Sequence, residues 1–483
     1  MTPRRRTVYP TVCIGVSVAF LLGSFLFGIA SASSQSSDAK KILYYGWDAP
    51  IPGDVKDQGS RLDASVFDAV VFRHGGARQI FTHEALPAEP FAQDIADLQE
   101  MAASKLGESY LRMQINAEDD WSWASEDDWD AFASNLRNYA RLAKEGGLKG
   151  ILFDPEPYGF NVWNYETQPA EGEKSFEELE TLAKERGAEF INILKTEYPG
   201  ITLFSLKMFS QRVHFLDNQP DDTQLRERIK DDTFHGLWYG FANGMLSALD
   251  EDIRLIDGNE RAYYYLNAGD FDYGKDEIYG RVTDAFVDEA NQPTFREQVE
   301  VAHAVYVDGV LSLFNSPRFI GYYFADDEQR RAFLEWHIYH GLQSSDEYYW
   351  LYVESVRWWE EEGVPEGFEE VVARAKEKAL SGAELGFDTE FVEAAVQGYE
   401  ARVRLNGSIT PNVPGIEFEV EGAPATACGS YSNGGKYNCT FPAGTTATVT
   451  PVKEGITFDP PSRTYENVGP DTRQRGIQDY SAY

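Results

Sequence analysis

Two carboxylates are spaced for shared work in the segment KGILFDPEPYGFNVWNY, where Asp154 and Glu156 stand two apart. Residues two apart on a strand share a face. The apolar run Ile151-Leu152-Phe153 before them marks a buried strand that delivers both acids into a mouth. Two carboxyls crowded in a desolvated place do not both ionise freely, so one pKa is expected to rise. The outcome is one proton donor and one base or nucleophile, the pair that hydrolysis of a glycosidic bond needs. Pro155 and Pro157 stiffen this backbone. Tyr158, Phe160, Trp163 and Tyr165 follow, and aromatic faces suit the C–H faces of sugar rings. An acidic loop beside core aromatics is the competing explanation.

Other polar residues close apolar runs elsewhere. Asp257 and Glu260 stand in RLIDGNERAYYY, and Asp326 in YYFADDE, where Asp327 and Glu328 are read as starting a helix. The candidate catalytic acids are therefore Asp154, Glu156, Asp257, Glu260 and Asp326. Substrate contacts are expected from Trp47, Asp48, Tyr158 and Trp163, and from Trp350 and Glu354 four residues apart in EYYWLYVESVRWW. Arg73, Arg112 and Lys207 also end apolar runs and are counted among the expected substrate contacts; as residue types they serve as partners of buried carboxylates more often than as catalysts. No H-E-x-x-H, H-x-H, G-x-S-x-G or P-loop is present, so no metal and no cofactor is expected.

Eight short runs can hold such residues: Ile42–Asp48, Phe67–His74, Ser109–Asn116, Gly150–Glu156, Thr202–Met208, Ile253–Asp257, Ile320–Asp326 and Tyr348–Glu354. Several are nearly all apolar, as strands buried on both faces must be. Stretches of helical periodicity separate most of them: Ala92–Ala103, Asp127–Lys144, Phe176–Glu197, Thr223–Leu249, Pro293–Leu313 and Glu328–Leu342. Repeated strand-then-helix units predict an α/β fold, a (β/α)8 TIM barrel over residues 40–404, whose active sites form at the strand C-termini. An open doubly wound sheet is the competitor, but no G-x-G-x-x-G follows the first run.

The ends read differently. Arg4, Arg5 and Arg6 precede an apolar run from Thr11 to Ala30 and the small-x-small Ala30-Ser31-Ala32, a signal peptide over residues 1–32 with cleavage near Ala32. The run is long enough to span a bilayer, so an uncleaved anchor is the alternative. After cleavage no stable membrane insertion is expected. The formal net charge is −36, and loss of residues 1–32, with three Arg and no acid, takes it to −39. That surface repels nucleic-acid phosphates, and sulfated or carboxylated polymers too, unless a local basic patch lines the site. Cys428 and Cys439 remain in the exported chain and read as a disulfide; a two-thiolate metal site is the weaker option. Residues 405–416 read as a linker. Short alternating runs after them predict a small all-β sandwich over residues 417–483.

The stretch GKYNCTFPAGTTATVTPVKEGITFDPPSRTYENV resembles the immunoglobulin-like modules of secreted bacterial proteins, akin to carboxypeptidase-regulatory-like and CnaB-like repeats, matching at Gly435, Tyr437, Cys439, Pro442, Gly444 and Tyr465–Val468. The resemblance implies a spacer or attachment role at surfaces. Residues 40–380 resemble glycoside-hydrolase-like (β/α)8 proteins through LYYGWDAP, FDAVVFR, GILFDPEPYG, LIDGNE, GYYFADDE and DEYYWLYVESVRWW. That implies a secreted glycoside hydrolase acting on carbohydrate. Acids on the fourth and sixth strands would make Asp154 the nucleophile and Asp257 or Glu260 the acid/base. Acids on the fourth and seventh would pair Glu156 with Asp326. A non-catalytic carbohydrate-binding or surface protein on the same scaffold is the alternative.

Overall fold

A computed structural model describes residues 40–47, 49–76, 78–170, 172–430, 435–469 and 479–483. The expected signal segment and Asp48 lie outside these residues. No helix among the described residues is long and apolar enough to cross a membrane.

Nine parallel strands form the main sheet: β1 (Lys41–Gly46), β2 (Ala69–Arg73), β3 (Tyr110–Ala117), β4 (Gly150–Gly159), β5 (Thr202–Ser205), β6 (Arg254–Asp257), β7 (Val299–Val301), β8 (His303–Tyr306) and β9 (Tyr348–Val353). Their order is β7-β6-β5-β4-β3-β2-β1-β9-β8. Only Ala302 separates β7, which pairs with β6, from β8, which pairs with β9. The segment 299–306 thus joins the two ends of the sheet into a TIM-barrel-like ring. Helices such as Glu126–Glu145, Phe176–Glu197 and Asp327–Ser344 cover its outside. Strand alternation splits the apolar residues into two layers. Leu43, Ala69, Val71, Tyr110, Leu152 and Trp350 fill the ring, while Ile42, Val70, Phe72, Leu111 and Ile151 pack outward beneath the helices.

The expected seventh strand is corrected here. Ile320–Asp326 is not a strand: Ile320–Tyr323 forms a 3-10 turn, and Asp326 caps helix Asp327–Ser344 by accepting from Gln329 N at 2.9 Å. The true seventh position, 299–306, lies inside the stretch expected to be the helix Pro293–Leu313. The expected helix Thr223–Leu249 is also two helices, Asp222–Lys230 and Trp238–Ser247, with a loop between them.

The remaining strands form two smaller sheets. One has five strands, ordered β12-β13-β10-β17-β15: β10 (Val403–Thr410), β12 (Cys428–Ser430), β13 (Lys436–Phe441), β15 (Phe458–Asp459) and β17 (Tyr480–Ala482). The other has three: β11 (Glu417–Glu421), β14 (Ala447–Val452) and β16 (Arg463–Tyr465). Residues of both share one apolar cluster that includes Leu405, Phe418, Tyr437, Val449 and Tyr480. Much of the expected linker is therefore structured: Leu405–Thr410 belongs to β10, which pairs with β13 from Val403 to Ser408. Cys428 and Cys439 stand opposite each other on β12 and β13 and are joined, as suits an oxidising compartment. This region touches the barrel side through Thr426, whose Oγ1 donates to Asn315 O (2.8 Å) and whose carbonyl accepts from Ser316 Oγ (3.2 Å).

Candidate active site

At the C-terminal ends of the barrel strands lies an open cavity of about 600 Å³. Its acids are Asp154, Glu156, Glu260 and Glu354. Asp154 and Glu156 arrive together because β4 bulges: the step from Gln114 to Asn116 on β3 faces the step from Asp154 to Tyr158 on β4. Pro155 and Pro157 have no N–H to give to a ladder, so a bulge is the conformation this sequence can hold, and bulges re-aim side chains. Asp154, Glu156 and Tyr158 all line the cavity. The carbonyl of Pro155 instead accepts from Trp163 Nε1 at 2.8 Å, which places the indole behind the strand, fully buried.

Lys207, just beyond β5, gathers the acids. Its Nζ lies 2.8 Å from Glu156 Oε2 and 2.8 Å from Glu260 Oε2, so these oxygens are no farther apart than twice that distance. Burial penalises the ammonium, but Glu260, Glu156 and Asp154 outweigh it and hold Lys207 charged above its ordinary range. Asp154 is only 2% exposed. Burial pushes its carboxyl up to about 7, with Lys207 opposing and Glu156 adding to the rise. A raised carboxyl is thus present at Asp154, and burial contributes more to it than the neighbouring acid does.

The loop after β6 brings Glu260 to this point. Gly258 lies against the loop after β5 so closely that a Cβ there would sit 2.7 Å from Leu206 O. Asn259 takes a left-handed backbone (φ 39°). Asp257 Oδ1 accepts from Asn259 N (3.0 Å) and Ser210 Oγ (2.9 Å), tying the two loops together. Trp350 Nε1 donates to Gly258 O at 2.7 Å from inside the ring. Asp257 and Trp350 are therefore fully buried supports of the loop and do not line the cavity. Asp326, an exposed helix cap, is not in the cavity either.

Two aromatic walls flank the acids. On one side the Trp47 and Tyr158 rings lie 5.5 Å apart, with Trp47 O accepting from Arg112 Nη1 at 2.7 Å. On the other, Tyr352 packs against Tyr263 (5.9 Å, nearly parallel) and Tyr306 (5.3 Å). Glu354 sits beside them and accepts from Tyr352 Oη at 3.1 Å. Tyr264 is 59% exposed and Phe234 39% exposed at the rim. A third stretch of wall carries Gln211, Arg212 and His235. Arg212 bonds Asp232 Oδ2 through Nε (2.8 Å) and His235 Nδ1 through Nη2 (3.0 Å). Burial, then Arg212 and Lys207, depress the His235 pKa well below the usual histidine value, so the ring is neutral.

Trp47, Asp154, Glu156, Tyr158, Lys207, Glu260 and Glu354 are thus brought together, while Asp257, Trp163, Trp350 and Asp326 are not. Arg73 and Arg112 line a separate small cavity beside the main one. The sequence reading missed His235, which stands in a turn, Arg212, which stands in the 3-10 segment Ser210–Leu216, and Tyr306, which stands on the unrecognised seventh strand. For Tyr263 and Tyr264 the run AYYY after Glu260 was an available signal. Among the described residues no cluster of His, Cys, Asp and Glu has the arrangement of a metal site.

No family model matches the chain, and no curated protein matches it. Solved structures similar to it include dihydrodipicolinate synthase from Agrobacterium tumefaciens, at 13% identity and a TM-score of 0.29, covering 72% of this chain and 78% of that one. An engineered protein is 12% identical with a TM-score of 0.34, covering 89% of this chain and 93% of its own. A modular endo-β-1,4-mannanase from Cellulomonas fimi, of glycoside hydrolase family 26, is 11% identical with a TM-score of 0.34 and the same coverage, 89% and 93%. At these identities and scores none of them bears on the activity of this chain.

Proposed function

We propose that the chain is a secreted glycoside hydrolase whose reaction centre is Asp154, Glu156 and Glu260 around Lys207. The observation that carries this reading is the division of labour among the acids. Asp154 keeps a proton near neutrality because it is buried, which suits a general acid for the leaving oxygen. Glu156 and Glu260 share one ammonium, Lys207, which holds both carboxylates at the same point of the mouth. One of them attacks the anomeric carbon or activates water, and both stabilise the positive charge of an oxocarbenium-like transition state. The aromatic walls at Trp47/Tyr158 and Tyr263/Tyr352 give a sugar two apolar faces to stack on. The C-terminal sheets carry none of these residues and serve as a spacer or surface-attachment module. The test is release of reducing ends from a panel of neutral and acidic polysaccharides by the wild type and by Glu260→Gln. The expected result is turnover by the wild type on at least one polymer and its loss in the variant. Absence of turnover on every polymer, with carbohydrate binding retained, would replace this reading by a binding protein.

A further inference from the structure

Each base that lines the large cavity is matched by an acid. Lys207 is held by Glu156 and Glu260, Arg212 by Asp232 at 2.8 Å, and Arg261 by Glu277 at 3.1 Å, while His235 is neutral. Glu354 is the acid left over. It follows β9 directly and is exposed to the cavity, and among the described residues it is in no ion pair. Tyr352 Oη donates to it at 3.1 Å, which leaves most of the acceptor capacity of a carboxylate open. A second acid fixes its backbone: Asp308, fully buried, accepts from Glu354 N at 2.9 Å and from Ser355 N at 2.7 Å. Burial, then the charge of Glu354, raises the pKa of the Tyr306 and Tyr352 hydroxyls, so the carboxylate lies beside both residues. Their rings are 5.3 Å apart, and Tyr263 follows at 5.9 Å from Tyr352. A carboxylate without a cation, set among electron-rich rings in an open cavity, offers an ammonium group both of the interactions that hold it.

We propose that Glu354, with the Tyr306 and Tyr352 rings, is a cation subsite that takes the ammonium of an amino sugar, so that the substrate is a glycan with free amino groups. The cavity, about 600 Å³, has room for the sugar ring as well as its substituent. The net charge of −36 draws such a polymer to the protein, and Glu354 selects where its ammonium sits. The substrate class rests on the glycosidase reading above, but cation binding can be measured without turnover. The probes are three tetrasaccharides on one β-1,4 backbone, differing at carbon 2: the glucosamine tetramer, its fully N-acetylated form, and cellotetraose. They are titrated calorimetrically into the full chain carrying Asp154→Asn, at about pH 6, where such an amine stays protonated. Asp154 itself keeps its proton there, so the substitution stops turnover without changing the charge of the cavity. The glucosamine tetramer should bind at least about tenfold tighter than the other two, with a margin that shrinks as salt is raised. Adding Glu354→Gln, which keeps shape and removes the charge, should cut that margin to about threefold or less. Tyr306→Leu should cut it in part. Glu145→Gln, which removes an exposed acid on a helix outside the barrel, should leave it unchanged. Binding of all three that is equal, or too weak to measure, would overturn the subsite. So would a margin that Glu354→Gln lowers no more than Glu145→Gln does, since that is attraction by the whole acidic surface. Chitosan joins the polymers tried for turnover: if the glycosidase reading alone is wrong, the margin and its dependence on Glu354 persist while neither chitosan nor any other polymer is cut.

Discussion

The barrel has an ionic cluster at each end, built from the same residue types and balanced differently. At the N-terminal end, Glu347 is bonded by Lys41 at 2.6 Å and also pairs with Arg254. Arg254 reaches Glu300 as well, and Lys41 and Lys149 both reach Glu108. Three acids meet three bases. Burial works against the Glu347 carboxylate, yet Lys41 and Arg254 still hold it below its ordinary pKa. At the mouth, three acids share one lysine, and the deepest of them is pushed up to about 7. A balanced cluster fixes strands in place. An unbalanced one leaves a proton available near neutral pH, and it borders open space where a substrate can complete it.

That contrast can be broken from either end. The largest effect is expected at the mouth: Glu156→Gln and Glu260→Gln, which keep side-chain shape, should each lower kcat by ~10²–10⁴. Their melting temperatures should stay near the wild-type value. Comparing the two, by kcat on the first polysaccharide found to be cut, identifies the nucleophile or base as the variant with the greater loss. At the opposite end the signature reverses. Glu347→Gln leaves Lys41 and Arg254 short of a partner and should cost about 3 kcal/mol of stability, the low end for breaking a buried pair because Arg254 is partly exposed. Its kcat should be unchanged. A large loss of activity in a Glu347→Gln protein that still melts normally would erase the distinction between the two clusters.

A smaller effect is expected in the pH dependence of stability. The folded chain keeps the Asp154 proton up to about pH 7, whereas an unfolded chain releases it near ~3.9. Between those values the native state binds more protons, so this residue makes stability fall as pH rises, and the penalty is complete above the folded pKa. Asp154→Asn removes it. Relative to wild type the variant should gain stability from about pH 4 to pH 7 and no more beyond, by on the order of 1–4 kcal/mol. Urea unfolding on both sides of this window measures it, and a variant equally destabilised at every pH would show that Asp154 is held as an ionised structural group.

How much of this the sequence shows depends on how local the signal is. The acids of β4 stand out because an all-apolar run leads straight to them, and the bulge that aims them is written in Pro155 and Pro157. Glu260 was visible as an acid followed by tyrosines, but its meeting with Lys207 was not, since it depends on Gly258 closing on Leu206 across two loops. The seventh strand was misplaced for the opposite reason. Val299–Val301 and His303–Tyr306 are too short to show a period of their own and follow the helix Gln292–Gln298 directly. Ile320–Asp326 carries more aromatic residues, which read as β-formers, yet its acids serve a helix start. Asp257 ends its strand as expected and faces a neighbouring loop, a difference of side-chain direction that residue type does not carry.

The central claim is that Asp154 supplies the proton from a carboxyl whose burial holds it near neutrality. The pH dependence of kcat/KM for the wild type, beside that of Asp154→Asn, tests it most directly. The wild type should lose activity on the alkaline side through about pH 7 as Asp154 deprotonates. Asp154→Asn should fall by ~10²–10⁴ at the optimum and show no such limb, while melting at or above the wild-type temperature. A folded Asp154→Asn protein that turns over within about threefold of wild type, or one that keeps the same alkaline limb, would contradict the account.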